Sequence, residues 1–239
     1  MGHKAVAAKK VDPSVIRTDT TAVETNIHWP TDSSLLWDTW RVAAELKGFL
    51  PAMTTVVRSA RRAQIEGETV PAKERVFSIF EPHTELIMRS RREKPVEFGH
   101  MVLLCQAREK FITDYDVMEE RIADCDLTES VIDRHEDLFG ETPEVLAGDM
   151  GFCPTAEKYA ELEEHVGTLA IPRRMRDFAD AVLSCWQAFR AGIEGTISGL
   201  KRAFRLARCF YHGFKSFTAA VGLTVFCHNL IVLATSGET

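Results

Sequence analysis

Three residues in the last third of the chain have the types and spacing of a site for metal and phosphate. Arg190, Glu194 and Lys201 lie in the segment RAGIEGTISGLKR, at intervals of four and seven residues. In a helix, where each residue advances by about 100°, these intervals keep the three side chains within roughly 60° of arc. A carboxylate between two cations can bind a divalent ion while the cations contact phosphate. Gln187 and Arg205 keep the same helical rhythm on this face.

Two aspartates elsewhere complete a candidate ligand set. Asp19 lies in a β-branched segment that predicts a strand over residues 15–23, and Asp149 follows an apolar run that predicts a short strand over 145–147. Converging carboxylates repel one another and take up protons, whereas one or two Mg²⁺ or Mn²⁺ ions offset that cost. Two such ions activate a water or hydroxyl and stabilise a leaving 3′ oxygen. Spacing alone indicates this weakly, because 35 acidic residues form many such triples.

The remaining patterns predict the elements that position these residues. A helix over 34–49 ends at Pro51, and a short basic helix covers 56–66. Strands follow over 76–80, 84–88, 96–105 and 110–117, then a helix opened by a capping box of Asp126 and Glu129 and ended by Gly140. A helix over 156–166, a strand over 168–171 and long C-terminal helices complete the chain. This order predicts an α/β fold, a mixed sheet with helices on its faces.

Three expectations concern the packing of these elements. Glycines at 192, 195 and 199 each weaken a helix by roughly 1 kcal/mol, which predicts close backbone approach or a break just before Glu194. Residues 216–236 carry no acidic or basic charge apart from His228, so a membrane span is one interpretation and a core helix under a sheet is the favoured one. Core positions are also expected for five aromatic residues: Trp29, Trp37, Trp40, Phe77 and Phe80.

Composition excludes several classes of protein. The net charge of −6 argues against a protein that coats nucleic acid by bulk electrostatics. The six cysteines form no CxxC pair, so free thiols are expected rather than a zinc site or a disulfide framework. The N-terminus lacks the apolar core of a signal peptide. Nucleotide-binding glycine motifs, a GxSxG nucleophile and an HExxH zinc motif are absent.

Taken together, several segments resemble the catalytic part of bacterial insertion-sequence transposases of the DDE type. They follow the family's order along the chain, which is more specific than any one acid. The segments are DTTAVETNIHWPTDSSLLWDTWR from Asp19, ERVFSIFEPHTEL from Glu74, VEFGHMVLL from Val96, KFITDYDV from Lys110, LAGDMGF from Leu146, RAGIEGTISGLKR from Arg190 and VGLTVFCHNL from Val221.

The resemblance implies a ribonuclease-H-like fold whose two Asp and one Glu bind Mg²⁺, with Mn²⁺ as an alternative. Residue by residue, Asp19 matches the first acid, Asp149 the second and Glu194 the third, and these would be both the catalytic and the metal-binding residues. Arg190 and Lys201 match the cations that would hold DNA-end phosphates, and Arg205 is expected to contact DNA with them. The tyrosine that often opens this signature falls at Gln187.

The resemblance also sets the expected domain organisation and partners. Residues 1–14 are expected to be an N-terminal tail, and 15–239 the catalytic domain, with a shortened insert near 46–55 that marks a truncated or internally deleted copy. The expected partners are insertion-sequence ends and target DNA, with self-association open and no membrane, in the bacterial cytoplasm at the nucleoid. Three functions remain open: metal-dependent strand cleavage and transfer, a folded remnant that only binds DNA or a transposase subunit, and a stand-alone metal nuclease.

Overall fold

A computed structural model describes residues 2–42, 47–88, 95–173 and 181–235 of the chain. Strands and helices alternate through most of this part. Its strands are β1 (Val15–Thr25), β2 (Glu85–Met88), β3 (Val96–Ala107), β4 (Ile112–Val117), β5 (Val145–Ala147), β6 (Thr168–Ala170) and β7 (Arg208–Cys209). Its α-helices are α1 (Gly2–Ala7), α2 (Asp32–Val42), α3 (Leu50–Gln64), α4 (Asp124–Phe139), α5 (Ala156–His165), α6 (Ala181–Ala203) and α7 (Phe214–Thr235).

The strands form one mixed seven-stranded sheet, which confirms the predicted α/β class. The order is β2-β3-β1-β5-β6, with β4 pairing with β3 and β7 pairing with β1. β1, β5 and β6 pair in parallel, whereas β2, β3 and β4 pair antiparallel. The reason lies in the connections, because the short turn between β3 and β4 forms a hairpin while helices separate β4, β5 and β6.

The described chain divides into two compact units. Unit 1 comprises Met1–Thr21, Met101–Ala207 and Val221–Thr239, and unit 2 comprises Ala22–His100 and Arg208–Ala220. The interior of unit 1 includes the fully buried side chains of Ile16, Leu103, Leu104, Leu146 and Ile193. In unit 2, one core cluster combines Leu35, Val42, Val56 and Ile79 from α2, α3 and the segment after α3.

Two predictions in unit 2, one helix end and one strand, are wrong for local reasons. Pro51 does not end a helix but lies in the first turn of α3, where its missing N–H leaves no helical hydrogen bond unmade. The helix before it, α2, ends at Val42 in the described part, and residues 43–46 of the predicted helix lie outside the described residues. The predicted strand over 76–80 does not form, because the Ser78 hydroxyl accepts the backbone N–H groups of Phe80 and Glu81.

The expectation of an aromatic core is correct for Phe77 and wrong for the tryptophans. Phe77 is buried, whereas the exposed fractions of Trp29, Trp37 and Trp40 are 62%, 61% and 69%. Phe80 is exposed as well. Helical spacing places Trp37 and Trp40 on the same outward side of α2, where their ring centroids lie 5.1 Å apart. Aromatic type therefore did not predict burial in this unit.

The apolar C-terminal segment forms α7, whose two sides differ. A row at intervals of four residues, Phe217, Val221, Val225 and Asn229, is buried, in keeping with a core helix. Leu223, Phe226, Leu230 and Ile231 are exposed, so the core-helix prediction holds for one side only. By length and composition alone α7 would be able to cross a membrane, a criterion that core helices of soluble proteins also meet.

The N-terminal residues and the cysteines complete the comparison with expectation. Within the predicted tail over 1–14, Gly2–Ala7 is helical and Ala5 is buried in a cluster with Val11, Ala107 and Phe111. All six cysteines are free thiols, of which Cys105 and Cys209 are buried. Burial raises the pKa of the Cys105 thiol to about 12, so this sulfur stays protonated and unreactive.

Candidate active site

Asp19 and Asp149 are brought side by side by the parallel pairing of β1 with β5. The register pairs Ile16 with Leu146 and Arg17 with Ala147. Continued by two residues, the same register places Asp19 level with Asp149. Because side chains alternate between the faces of a sheet, both acids point to the face that carries Arg17. The two strands thus deliver two carboxylates to neighbouring positions, as the strand predictions required.

Both aspartates are held by backbone N–H groups close in sequence. Asp19 Oδ1 accepts from the N–H of Thr20 at 2.8 Å. Asp149 caps the short 3-10 helix Met150–Phe152, and its Oδ1 accepts from the N–H of Gly151 at 2.7 Å. Each carboxylate keeps one oxygen that these bonds do not use.

Glu194 comes from α6 and reaches Asp19 through Arg190. Arg190 Nη2 donates to Glu194 Oε1 at 2.9 Å, and its Nη1 lies 3.5 Å from Asp19 Oδ2. The intervals of four and seven residues that predicted one helical face therefore lie on a helix, as expected. The Arg190 guanidinium bridges the first and third acids. Its Nε is buried and has no hydrogen-bond partner within the described residues, which leaves one donor for an added acceptor.

The electrostatics of these acids are unfavourable without a further cation. Burial raises the pKa of Asp19 to about 6, the negative charges of Asp149 and Glu194 raise it as well, and the Thr20 N–H and Arg190 lower it. The Arg190 charge compensates only part of three neighbouring carboxylates. Excess negative charge and oxygen donors are what a divalent Mg²⁺ or Mn²⁺ ion requires.

The carboxylates fit such an ion in charge and chemistry, although they are not arranged around one. Within the described ranges, no three acidic, histidine or cysteine side chains are grouped so that they hold an ion as they stand. Glu194 is turned to Arg190, and its side chain is 62% exposed, so it is free to rotate toward another partner. The predicted ligand role of Asp19, Asp149 and Glu194 thus remains a prediction that requires Glu194 to exchange partners.

A fourth carboxylate that the sequence reading missed borders the same place. Asp124 is the first residue of α4, and its Oδ1 accepts from the hydroxyl of Thr20 at 3.0 Å. A Cβ atom at Gly151 would lie 2.9 Å from Asp149 Oδ1 and 3.6 Å from Asp124 Oδ2, so both acids flank this glycine. The sequence signal that could have identified Asp124 is the acidic first turn of α4.

That first turn was misread as a capping box. The helix begins three residues earlier than a capping box of Asp126 and Glu129 requires. Its N-cap is Ala123, which makes no side-chain capping bond, so the predicted capping box is wrong. The predicted stop is confirmed, because Gly140 ends the helix in a left-handed conformation with φ of 83°.

A buried arginine packs α6 against the sheet. Arg17 is 4% exposed; its Nε and Nη2 donate to Gln106 Oε1, and its Nη1 donates to the carbonyl oxygen of Phe189 on α6. A Cβ at Gly192 would overlap this guanidinium, so the predicted close approach is correct at that glycine. The predicted break before Glu194 is wrong, because α6 is continuous, and Gly195 has open space around it.

The remaining predicted DNA contacts differ in their position relative to this helix. Lys201 lies in the last turn of α6, seven residues after Glu194. α6 ends at Ala203, so the prediction that Arg205 continues its helical row is wrong. Arg205 is exposed and adopts a left-handed backbone with φ of 59°. The proposed DNA contacts of Lys201 and Arg205 themselves stay predictions.

In a comparison with known protein families, the chain matches a family model described as "Transposase DDE domain". It covers residues 89–230, which are 142 of the 239 residues. The match includes Asp149, Arg190, Glu194 and Lys201, and it begins after Asp19. No curated protein and no solved structure matches the chain.

Proposed function

Because this chain belongs to the family of transposase DDE domains, whose fold is ribonuclease-H-like, we propose that it performs metal-dependent DNA strand cleavage and transfer at insertion-sequence ends. Two observations in unit 1 support the proposal: the parallel pairing of β1, which contains Asp19, with β5, which precedes Asp149, and the pairing of Arg190 with both Asp19 and Glu194. Family membership already implies that the protein binds DNA.

The three acids are proposed to hold the divalent ion that members of the family generally use. Such ions activate an attacking water or hydroxyl and stabilise the leaving oxygen of the DNA strand. The chain's own contribution would be to bring the carboxylates of Asp19, Asp149 and Glu194 close together, at the cost of a raised pKa for Asp19. Above its pKa of about 6, the Asp19 carboxylate is ionised and available as a ligand.

Arg190 is proposed to hold a phosphate of the DNA end. Its Nε is a buried donor that has no partner in the described part of the chain, and a phosphate oxygen would be a suitable acceptor. A divalent ion held by Asp19 and Glu194 would free the Nη atoms of Arg190 to donate to the same phosphate. Lys201 and Arg205 are proposed to extend this contact along the backbone of insertion-sequence ends or target DNA.

One observation favours the second function, a remnant that folds and binds DNA without chemistry. Asp19 and Glu194 are paired with Arg190, and within the described residues the three carboxylates are not grouped around an ion position. If Glu194 cannot exchange Arg190 for an ion, DNA binding through the cations remains and cleavage is lost. The two functions therefore differ in whether a divalent ion binds at Asp149 and Glu194.

The experiment that separates them is nicking of supercoiled plasmid in Mg²⁺ or Mn²⁺. We expect nicking by the wild-type chain and none by Asp149→Ala, because that substitution removes a ligand without disturbing the Arg190 pairs. The control is Asp137→Ala, an exposed acid on α4 whose loss should change nothing. Absence of nicking in the wild type, with DNA binding retained, would leave the remnant. Nicking that persists in Asp149→Ala would place the chemistry elsewhere.

A further inference from the structure

One side chain on α6 connects this helix to the strand ends that position Asp149. The amide Nε2 of Gln187 donates to the carbonyl oxygen of Gly148 and to that of Ala170, each at 2.9 Å. The first carbonyl belongs to the peptide directly before Asp149, and the second belongs to the last residue of β6. Both amide protons are used, so the contact sets an orientation as well as a distance.

Helix geometry relates this contact to Glu194. Gln187 and Glu194 are seven residues apart, which is about two turns and about 10 Å along α6, and they lie on nearly the same line of the helix. A second bond runs in the opposite direction, from Arg17 on β1 to the carbonyl of Phe189 on α6. Within three residues, α6 is thus joined to β1, to β6 and to the residue after β5. Its later turns carry Arg190 and Glu194.

We propose that Gln187 is a positioning residue that sets the Asp149 carboxylate relative to Glu194. By holding the Gly148–Asp149 peptide, it maintains the Asp149 conformation in which Oδ1 accepts the Gly151 N–H. An uncharged amide suits this task, because it supplies two donors to two carbonyl oxygens and adds no charge beside the carboxylates. The effect on metal binding rests on the proposed function, whereas the effect on Asp149 conformation does not.

The first test is independent of any metal and uses Gln187→Met, which keeps the length of the side chain and removes both donors. The Gly151 N–H reports the Asp149 conformation, so its hydrogen exchange is measured by NMR in the metal-free protein. We expect exchange about fivefold or more faster in the variant, since opening of the Asp149 turn becomes easier. The control is Gln64→Met, the same substitution at an exposed glutamine of α3 that bonds Asp32.

The second test measures Mn²⁺ affinity by calorimetry in a double-mutant cycle. Gln187→Met is expected to weaken Mn²⁺ binding about tenfold or more, as loss of residues that orient ligands does. In an Asp149→Asn background the same substitution should cause no further loss, because the ligand that it positions is already gone. A side chain that only stabilises the fold would lower the melting temperature equally in both backgrounds and leave Mn²⁺ affinity unchanged.

The outcomes separate failure of this proposal from failure of the proposed function. Gly151 exchange unchanged by Gln187→Met would overturn the positioning role, and so would unchanged Mn²⁺ affinity in a wild type that binds the ion. A wild type that binds no Mn²⁺, with exchange accelerated in the variant, would refute the metal chemistry and retain the positioning. If Gln187→Met does not fold, Gln187→Asn, which keeps the amide but shortens its reach, is measured in the same way.

Discussion

The Arg190 bridge makes a prediction with a definite sign: removing this cation should strengthen metal binding. The guanidinium lies 3.5 Å from Asp19 Oδ2 and 2.9 Å from Glu194 Oε1, in the place where an ion would have to draw these carboxylates together. An ion and a guanidinium compete for the same oxygens. In Arg190→Met, which retains much of the side-chain volume, the competitor is absent.

The magnitude follows from the burial of the two pairs. The Arg190 and Asp19 side chains are 15% and 17% exposed, and for a charge pair at this distance and burial we assign about 1.5 kcal/mol after solvent screening. Glu194 is largely exposed, so its pair contributes about 0.5 kcal/mol. Release of both pairs, about 2 kcal/mol, corresponds to Mn²⁺ binding roughly 30-fold tighter in the variant.

The assay is Mn²⁺ titration by calorimetry or electron paramagnetic resonance at pH 8, where Asp19, with a pKa of about 6, is ionised. Arg202→Met is the matched control, because Arg202 lies on the same helix and donates to Ser198 rather than to an acid of the site. Combining Asp149→Asn with Arg190→Met should abolish the tight Mn²⁺ binding, which would show that the ion binds at Asp149. Weaker or unchanged Mn²⁺ affinity in Arg190→Met would refute the competition and would mean that Arg190 instead orients Glu194 as a ligand.

Two further predictions concern stability. Asn229 on α7 is 5% exposed, and its side chain accepts from the N–H of Ile112 and donates to the carbonyl oxygen of Ile112, each at 2.8 Å. Asn229→Leu leaves these two buried backbone groups unpaired and should lower the free energy of unfolding, measured in urea, by about 3 kcal/mol. A loss below about 1 kcal/mol would show that water replaces the amide. Burial lowers the pKa of His135 from 6.5 to about 4, because the folded protein favours the neutral ring. The stability that the neutral His135 contributes is therefore fully present above about pH 6.5 and is lost as the pH falls through 4. The free energy of unfolding should therefore drop by about 2 kcal/mol over this window, a loss that His135→Leu should abolish and that the exposed His165→Leu should leave intact.

The strand that delivers Asp149 shows what sequence alone could establish. A short apolar run between Pro143 and Gly148 predicts a strand over 145–147, and β5 has these bounds. The local sequence pattern does not predict which strand pairs with β5 or in which direction, because these apolar residues would be buried equally well beside any parallel neighbour. The level placement of Asp19 beside Asp149 depends on the register of β1 with β5, which only the folded chain defines.

Three features that the sequence does not predict have one physical origin, a side chain that bonds to backbone groups. Ser78 turns the chain where alternation favoured a strand, because its hydroxyl accepts two N–H groups. The sequence places Gln187 on the helical face of Glu194, at the position of the family's tyrosine, but it does not indicate that the Gln187 amide joins α6 to two strand ends. Asn229 stood in an apolar run, and it pairs with an edge strand as another strand would. The periodicity of a sequence indicates the direction in which side chains point, but it does not indicate which backbone groups they bond.

Arg190 illustrates how a predicted pair acquires its meaning from a third residue. The interval of four residues to Glu194 is sufficient to predict their ion pair on a helix. Asp19, 171 positions earlier, also pairs with Arg190, so the guanidinium bridges two acids. We expect this cation to compete with a metal ion for the same carboxylate oxygens. A site arranged in this way is partly neutralised before any metal binds, which limits repulsion among its acids while the chain folds. Under the proposed function, cleavage would depend on Glu194 leaving Arg190, so ion binding and release of the arginine toward DNA would be one coupled event.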